Sequence, residues 1–380
     1  MRHAHRRENN AARTRMCAIP HRPGARMKLA AAAARHEGKT CFARGAIRGG
    51  SMRRSDVLRV WGRVLKGRTP FLSIEITKEC PLRCPGCYAY TPDHLGPLTT
   101  LRQLSDYRGR SLVSATLAVV RRLRPVHLSI IGGEPLVRHR ELSELLPILD
   151  RMGVEVQLVT SAVRPIPEEW RSIGNLHLAV SIDGLAPEHD RRRAPATYDR
   201  ILKHIARHNI RVHCTVTRQM LARPGYLAEF SRFWSQRPEV RQIWFSIYTP
   251  QAGEDSPERL RPHDRETLFR ELTAVAAEFP KVGLPQIVLD AYRRPPRSPA
   301  ECTFARLTTC LSADLETTVS PCQLGGNPVC AECGCLASAV MHGVTGLKLG
   351  GIIPVSAILD ASIRVGEYAS AAPPPQQRAA

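Results

Sequence analysis

The stretch CPLRCPGC, residues 80–87, places three cysteines, Cys80, Cys84 and Cys87, within eight residues. Three thiols at that density suit metal ligation, but three is an unusual number. A closed zinc site takes four protein ligands, a disulfide takes two cysteines, and an iron–sulfur cubane takes four thiolates unless one iron stays open. The loop is therefore completed either by a distant fourth ligand or by a coordination position meant for something else. A second group follows in CTFARLTTC, SPCQ and CAECGC, which supply Cys302, Cys310, Cys322, Cys330, Cys333 and Cys335. Six cysteines over that span furnish one auxiliary iron–sulfur cluster with two to spare, or nearly fill two sites; a zinc ribbon is the alternative. Nine of the twelve cysteines thus fall into two groups. With no secretion signal, this grouping predicts metal ligation in a reducing, cytoplasmic compartment rather than a disulfide framework. Cys214, alone in an apolar run, is expected to be a small buried hydrophobe.

The elements that must position these thiols are legible as alternating apolar runs. Strands are predicted over 71–77, 126–131, 154–160, 176–182, 210–216 and 243–249, with helices over 112–123, 139–152, 166–172, 197–208, 226–235 and 264–278. Strict strand–helix alternation implies a parallel sheet with helices outside, because each parallel neighbour needs a crossover. Six units make an α/β partial (β/α)6 TIM-like barrel, short of the eight needed for closure. In such folds chemistry gathers at the C-terminal strand ends, where CPLRCPGC follows the first strand and GGEPL, residues 132–136, follows the second.

Around this barrel, 71–280, the chain divides into a basic N-terminal stretch 1–51, a lead-in helix 52–70, a Pro- and Arg-rich linker 281–300, a Cys-rich domain 301–367 and a disordered tail 368–380. The net charge of +21 is concentrated at the start, where residues 1–51 carry twelve Arg/Lys against Glu8 and Glu37. The moderate excess elsewhere permits a nucleic-acid partner without favouring one. No apolar run reaches the length of a membrane span. The nearest, residues 335–359, is interrupted by His342, Lys348, Pro354 and several glycines, and is expected to pack around the neighbouring cysteines.

Together, CxxxCxxC after the first strand and GGEP after the second resemble the radical S-adenosylmethionine (radical SAM) superfamily. The resemblance implies that Cys80, Cys84 and Cys87 hold three irons of a [4Fe–4S] cluster, leaving the fourth to chelate S-adenosylmethionine. It further implies that Gly132, Gly133, Glu134 and Pro135 lie along this cofactor, the glycines by close backbone approach and the Glu134 segment at its amino group. SIDG followed by EHDRRR resembles a stretch of the peptide-modifying branch, and carries Ser181, Asp183 and Arg193 toward ribose and carboxylate. The other arginines near it are expected to be solvated surface. Where that family often has an aromatic before the third cysteine, this chain has Gly86, and Tyr88 is the candidate to cover adenine. TSA at 160–162 stands where the family often has Thr-Asn-Gly. The second cysteine group resembles the SPASM or twitch extensions that follow the barrel in many radical enzymes.

The resemblance implies an enzyme that cleaves S-adenosylmethionine reductively and abstracts hydrogen from a substrate, most simply a peptide or protein. Ferredoxin or flavodoxin would be the electron donor. Radical modification of a lipid, an isoprenoid or RNA is the alternative within the same chemistry, and a non-catalytic iron–sulfur or zinc protein is the alternative outside it.

Overall fold

The computed structural model describes residues 54–371. The basic stretch 1–51 and most of the predicted tail lie outside the described residues. Strands form where the apolar runs predict them: β1 (Phe71–Glu75), β2 (His127–Ile131), β3 (Glu155–Thr160), β4 (Leu176–Ser181), β5 (Ile210–Val216) and β6 (Val240–Ile247). A further strand, β7 (Thr308–Leu311), comes from inside the Cys-rich segment. Four residues flanked by cysteines read as a ligand loop in the sequence, yet they pair with β1 and set Cys310 opposite Ser73. The sheet is parallel throughout, in the order β6-β5-β4-β3-β2-β1-β7. It is the expected α/β partial barrel, open between β6 and β7.

Helices cover the outer face by the spacing of their apolar residues. His139–Arg151 buries Leu142, Leu145, Leu146 and Leu149, an i, i+3, i+4, i+7 stripe. Tyr226–Ser235 buries Tyr226, Phe230 and Trp234 by the same rule. The helix predicted at 166–172 is only a 3₁₀ turn, Glu168–Ser172, since Pro167 disfavours helical geometry at Ile166 and leaves too few residues for an α-helix. The lead-in helix runs Arg54–Val64.

Two other expectations differ from the structure. Within the predicted linker, Gln286–Arg293 is a helix that buries Val288, Leu289, Ala291 and Tyr292, and the Tyr292 hydroxyl donates to the Phe245 carbonyl at 2.7 Å. Proline and arginine at its flanks masked a short amphipathic core in the sequence. Within 335–359, helix Leu336–Thr345 packs beside the cysteines as expected, but Leu347, Leu349, Ile352 and Ile353 are exposed on a small hairpin, Lys348–Leu349 against Ile353–Pro354. Helix Val355–Ala371 then takes in the first residues of the predicted tail.

The Cys-rich segment reaches both edges of the open sheet. It pairs with β1 as β7, then crosses to the far edge, where Gly334 accepts from the Ile247 amide at 2.9 Å and donates to Thr249 Oγ1 at 2.8 Å. The approach is so close that a Cβ on Gly334 would lie 2.1 Å from the Ile247 carbonyl oxygen. A Gly334→Val variant is therefore expected to lift this segment off β6 at a cost of about 1–3 kcal/mol. Limited proteolysis should then cut within 312–345 well before the barrel, and a thermal melt should show the loss.

Candidate functional site

The thiols of Cys80, Cys84 and Cys87 are free, partly buried and carried on the loop leaving β1. Burial pushes the Cys80 thiol up to about 12, with Glu134 and the two neighbouring cysteines adding to the effect, and raises Cys87 as well. A bare thiolate is costly here, so its charge needs a cation, which a bound metal would provide. The donor set, three soft sulfurs on one loop, fits a cluster better than a hard cation. Among the described residues no group of three or more His, Cys, Asp or Glu side chains is drawn together to hold a single ion.

The loop after β2 is spliced to the cysteine loop by backbone. Gly133 donates to the Thr77 carbonyl and Glu134 to the Glu79 carbonyl, each at 2.8 Å, and Glu79 fills the space where a Gly133 side chain would go. The glycines thus permit close approach to the chain itself, beyond any approach to a cofactor. The Glu134 carboxylate is buried and fully used. It accepts from the Leu136 amide at 2.9 Å, the Ser161 amide at 2.8 Å, and the hydroxyls of Thr160 and Ser161. Pro135 and Leu136 are buried beneath it. This side chain ties the ends of β2 and β3 together and has no lone pair left for an amino group; only the backbone of its segment remains for that role. It also gives the Thr160–Ser161 pair a purpose that the altered TSA motif obscured.

Across the sheet, Asp183 follows β4 and is almost wholly buried. Its carboxylate accepts from the Thr215 amide at 2.9 Å, from Arg193 Nε at 2.7 Å, and from Arg192. Arg192 in turn forms a bidentate pair with Glu258, at 2.7 and 2.8 Å. Burial works against Asp183, but the two guanidiniums outweigh it and hold its carboxyl well below the usual range. Two cations and two anions balance, and the arginines lie within electrostatic reach of Cys84. Ser181, at the end of β4, is buried in the same rim. His189 accepts from the Asp183 amide at 3.1 Å through Nδ1, which puts its proton on Nε2; burial lowers its pKa to about 3, so the ring is neutral. The sequence marked Asp183 and Arg193, but Arg192 was expected on the surface, and Glu258 was missed because it is distant in the chain.

Gly86 meets this charge cluster directly. It has φ +61°, and a Cβ there would lie 2.8 Å from both Tyr248 Cε2 and Glu258 Oε2. A ring carried by the β6 exit, Tyr248, thus fills the place that a side chain on residue 86 would occupy. Tyr88 turns elsewhere. Its ring packs tilted on His94, centroids 5.7 Å apart, within electrostatic reach of Cys87, Cys310 and Cys335. His94 is fully buried, bonded through Nδ1 to the Leu324 carbonyl at 3.1 Å and through Nε2 to Glu75 at 2.6 Å, while Glu75 also accepts from Ser312 at 2.6 Å. A carbonyl only accepts, so Nδ1 carries a proton. This chain of bonds fastens β1 to the Cys-rich segment between the two cysteine groups. No motif announced it.

In the second group, Cys302, Cys322, Cys330, Cys333 and Cys335 line one cavity with Phe304 and Pro321. Cys310 is buried on β7, packed with Cys302 and Val319 rather than lining that cavity. Burial raises the thiols of Cys330, Cys333 and Cys335 and pushes those of Cys310 and Cys322 up to about 12.

Residues 74–228 match the family model of the radical SAM superfamily. The chain is 32% identical over 120 residues to the PqqA peptide cyclase of Xanthomonas oryzae pv. oryzae, covering 30% of this chain and 29% of that protein. It is 27% identical over 131 residues to the Fe-coproporphyrin III synthase of Methanosarcina barkeri, covering 34% and 31% of the two chains. The matched region thus spans under a third of these curated relatives. In fold, it resembles Streptococcus suis SuiB bound to its precursor peptide SuiA, with TM-score 0.51 and 13% identity over 71% of this chain and 63% of that one.

Two outcomes follow for the buried acids. Asp183 has a depressed native pKa, so its contribution is fully present above the unfolded value, about 3.9, and is lost as pH falls through the native one. Urea midpoints are expected to fall with pH below about 4 in the native sequence, and to fall less steeply in Asp183→Asn, which starts about 3–5 kcal/mol lower because Arg192 and Arg193 lose their partner. Glu134→Gln sets an amide against donors at a buried site and should cost about 2–4 kcal/mol by the same measurement.

Proposed function

We propose, from the premise that residues 74–228 form a radical SAM superfamily domain, that this chain is an enzyme that cleaves S-adenosylmethionine reductively and abstracts hydrogen from a peptide or protein substrate. The observation that carries the reading is the trio Cys80, Cys84 and Cys87 at the exit of β1, joined by backbone to the GGEP loop at the exit of β2. A [4Fe–4S] cluster held there, with one iron left for S-adenosylmethionine, would supply the one-electron reductant for its cleavage.

The chain's own residues set the geometry. The three thiols would hold the irons, and the backbone of Gly132–Pro135 would line the cofactor's amino-acid end, with the Glu134 carboxylate tying that loop to Thr160 and Ser161. Ser181 and the Asp183–Arg193 pair form the opposite wall, with Asp183 positioning Arg193 rather than meeting ribose through a free carboxylate. Tyr248 beside Gly86 stands in the aromatic place at the adenine end, ahead of Tyr88, whose ring lies toward the second cysteine group.

The five thiols around one cavity support a single auxiliary iron–sulfur cluster, with Cys310 as a buried neighbour. A peptide substrate is supported by the 32% identity to a peptide cyclase and by a Cys-rich segment that spans the open side of the barrel, where an extended chain could enter. A low-potential ferredoxin or flavodoxin in a reducing, cytoplasmic compartment suits twelve cysteines and air-sensitive chemistry.

Anaerobically reconstituted protein with dithionite is expected to release 5′-deoxyadenosine from S-adenosylmethionine, and a Cys80→Ala/Cys84→Ala/Cys87→Ala variant to release none while losing about half its iron. Equal release by the two proteins would sink the enzymatic reading. Substitution of Cys322 and Cys333 by alanine should remove the remaining iron, read by absorbance and metal analysis, and leave cleavage measurable.

A further inference from the structure

The exposed apolar side chains are not scattered. Among the described residues, all large ones except Leu98 and Met152 belong to two segments, 57–65 and 344–368. These pack together, Val64 and Leu307 against Leu359 with Trp61 and Ile363 beside them. Helix Val355–Ala371 buries Leu359, Ser362 and Gly366 on one face, while Ala357, Ala361, Val365 and Tyr368 are open to water on the other, with Arg364 among them and Glu367 beside them. Ile352 at the hairpin turn is 81% exposed, Tyr368 83% and Leu58 73%. A cluster of exposed large apolar side chains rimmed by charged residues marks an interaction surface.

Basic residues adjoin it. Arg63, Lys66 and Arg68 close the lead-in helix, and Arg63 is crowded by Arg68, Arg124 and Arg59. Among the described residues no carboxylate pairs with Lys66, Arg68 or Arg124, while Arg59 is held by Asp56.

We propose that this rim is a docking surface for an anionic lipid bilayer, with Ile352, Ile353, Leu58 and Tyr368 entering the headgroup boundary and Lys66, Arg68 and Arg124 meeting the phosphates. Charge selects this occupant. Residues 1–51 carry twelve Arg/Lys and two acids, the same sign as the patch, and do not complement it. A second copy docked about a two-fold would set the basic cluster against itself. RNA would satisfy the arginines but leave the apolar side chains in water, whereas a bilayer with acidic headgroups satisfies both. The basic residues lie at the starts of β1 and β2, the opposite end of the sheet from the thiols, so a docked protein keeps its cysteine loops facing water. No helix among the described residues is long and apolar enough to cross a membrane, and surface docking needs none.

The test is vesicle flotation with the full-length reconstituted protein. Binding is expected to vesicles rich in phosphatidylglycerol, to weaken with salt, and to be slight on pure phosphatidylcholine. Ile352→Asp/Ile353→Asp should lower binding at least about tenfold, and Lys66→Gln/Arg68→Gln about fivefold per residue, each with an unchanged melting temperature and iron content. The proposal is overturned by absence of binding to the acidic vesicles. It is equally overturned if the Ile352/Ile353 variant binds them as well as the native sequence, which would assign binding to the basic N-terminal stretch alone. A concentration-dependent dimer abolished by that variant without vesicle binding, or RNA binding sensitive to Lys66 and Arg68 with no vesicle binding, would assign the surface to those partners instead.

Discussion

An open parallel sheet has two edges whose amides and carbonyls need partners, and here one segment of chain serves both. Residues 308–311 pair with β1, and Gly334 pairs with the end of β6 on the other side of the gap. Backbone hydrogen bonding, rather than the cysteines as such, decides where the second thiol group stands. Because β7 is adjacent to β1, and β1 leads into Cys80–Cys87, the two thiol groups are held on one scaffold. The His94–Glu75–Ser312 chain fastens the same junction by side chains.

The rim opposite the first thiol group is built on buried charge, and its neutrality is what makes it tolerable. Asp183 and Glu258 offset Arg192 and Arg193 within hydrogen-bonding distance, so four ions that would each be expensive alone form a satisfied network. The network presses on Gly86, through Glu258 and Tyr248. Residue 86 thus has no room for a side chain, and a ring from the β6 exit fills that space.

Much of the architecture was legible because periodicity survives without context. The six apolar runs became β1 to β6, and leucines at helical spacing in 139–151 became a buried stripe. The short strand β7 and the helix Gln286–Arg293 were not legible, since four residues among cysteines and eight among prolines and arginines carry too little pattern to outweigh their neighbours. At the site, Glu134 was visible as a motif residue, but its task was not; only the positions of Thr160 and Ser161 reveal that its carboxylate is consumed in holding β3 to β2.

By itself the sequence determined which thiols could act as ligands and the order of the elements, because thiol spacing and apolar alternation are local properties. Three thiols after the first strand left two completions open, a distant fourth ligand or a coordination position kept for something else. Tertiary structure alone decided which groups share a wall: Arg192 with Glu258, Tyr248 with Gly86, His94 with Glu75, and five of six distant cysteines around one cavity. Those pairings depend on the meeting of residues far apart in the chain, and no local spacing encodes a distance of that kind.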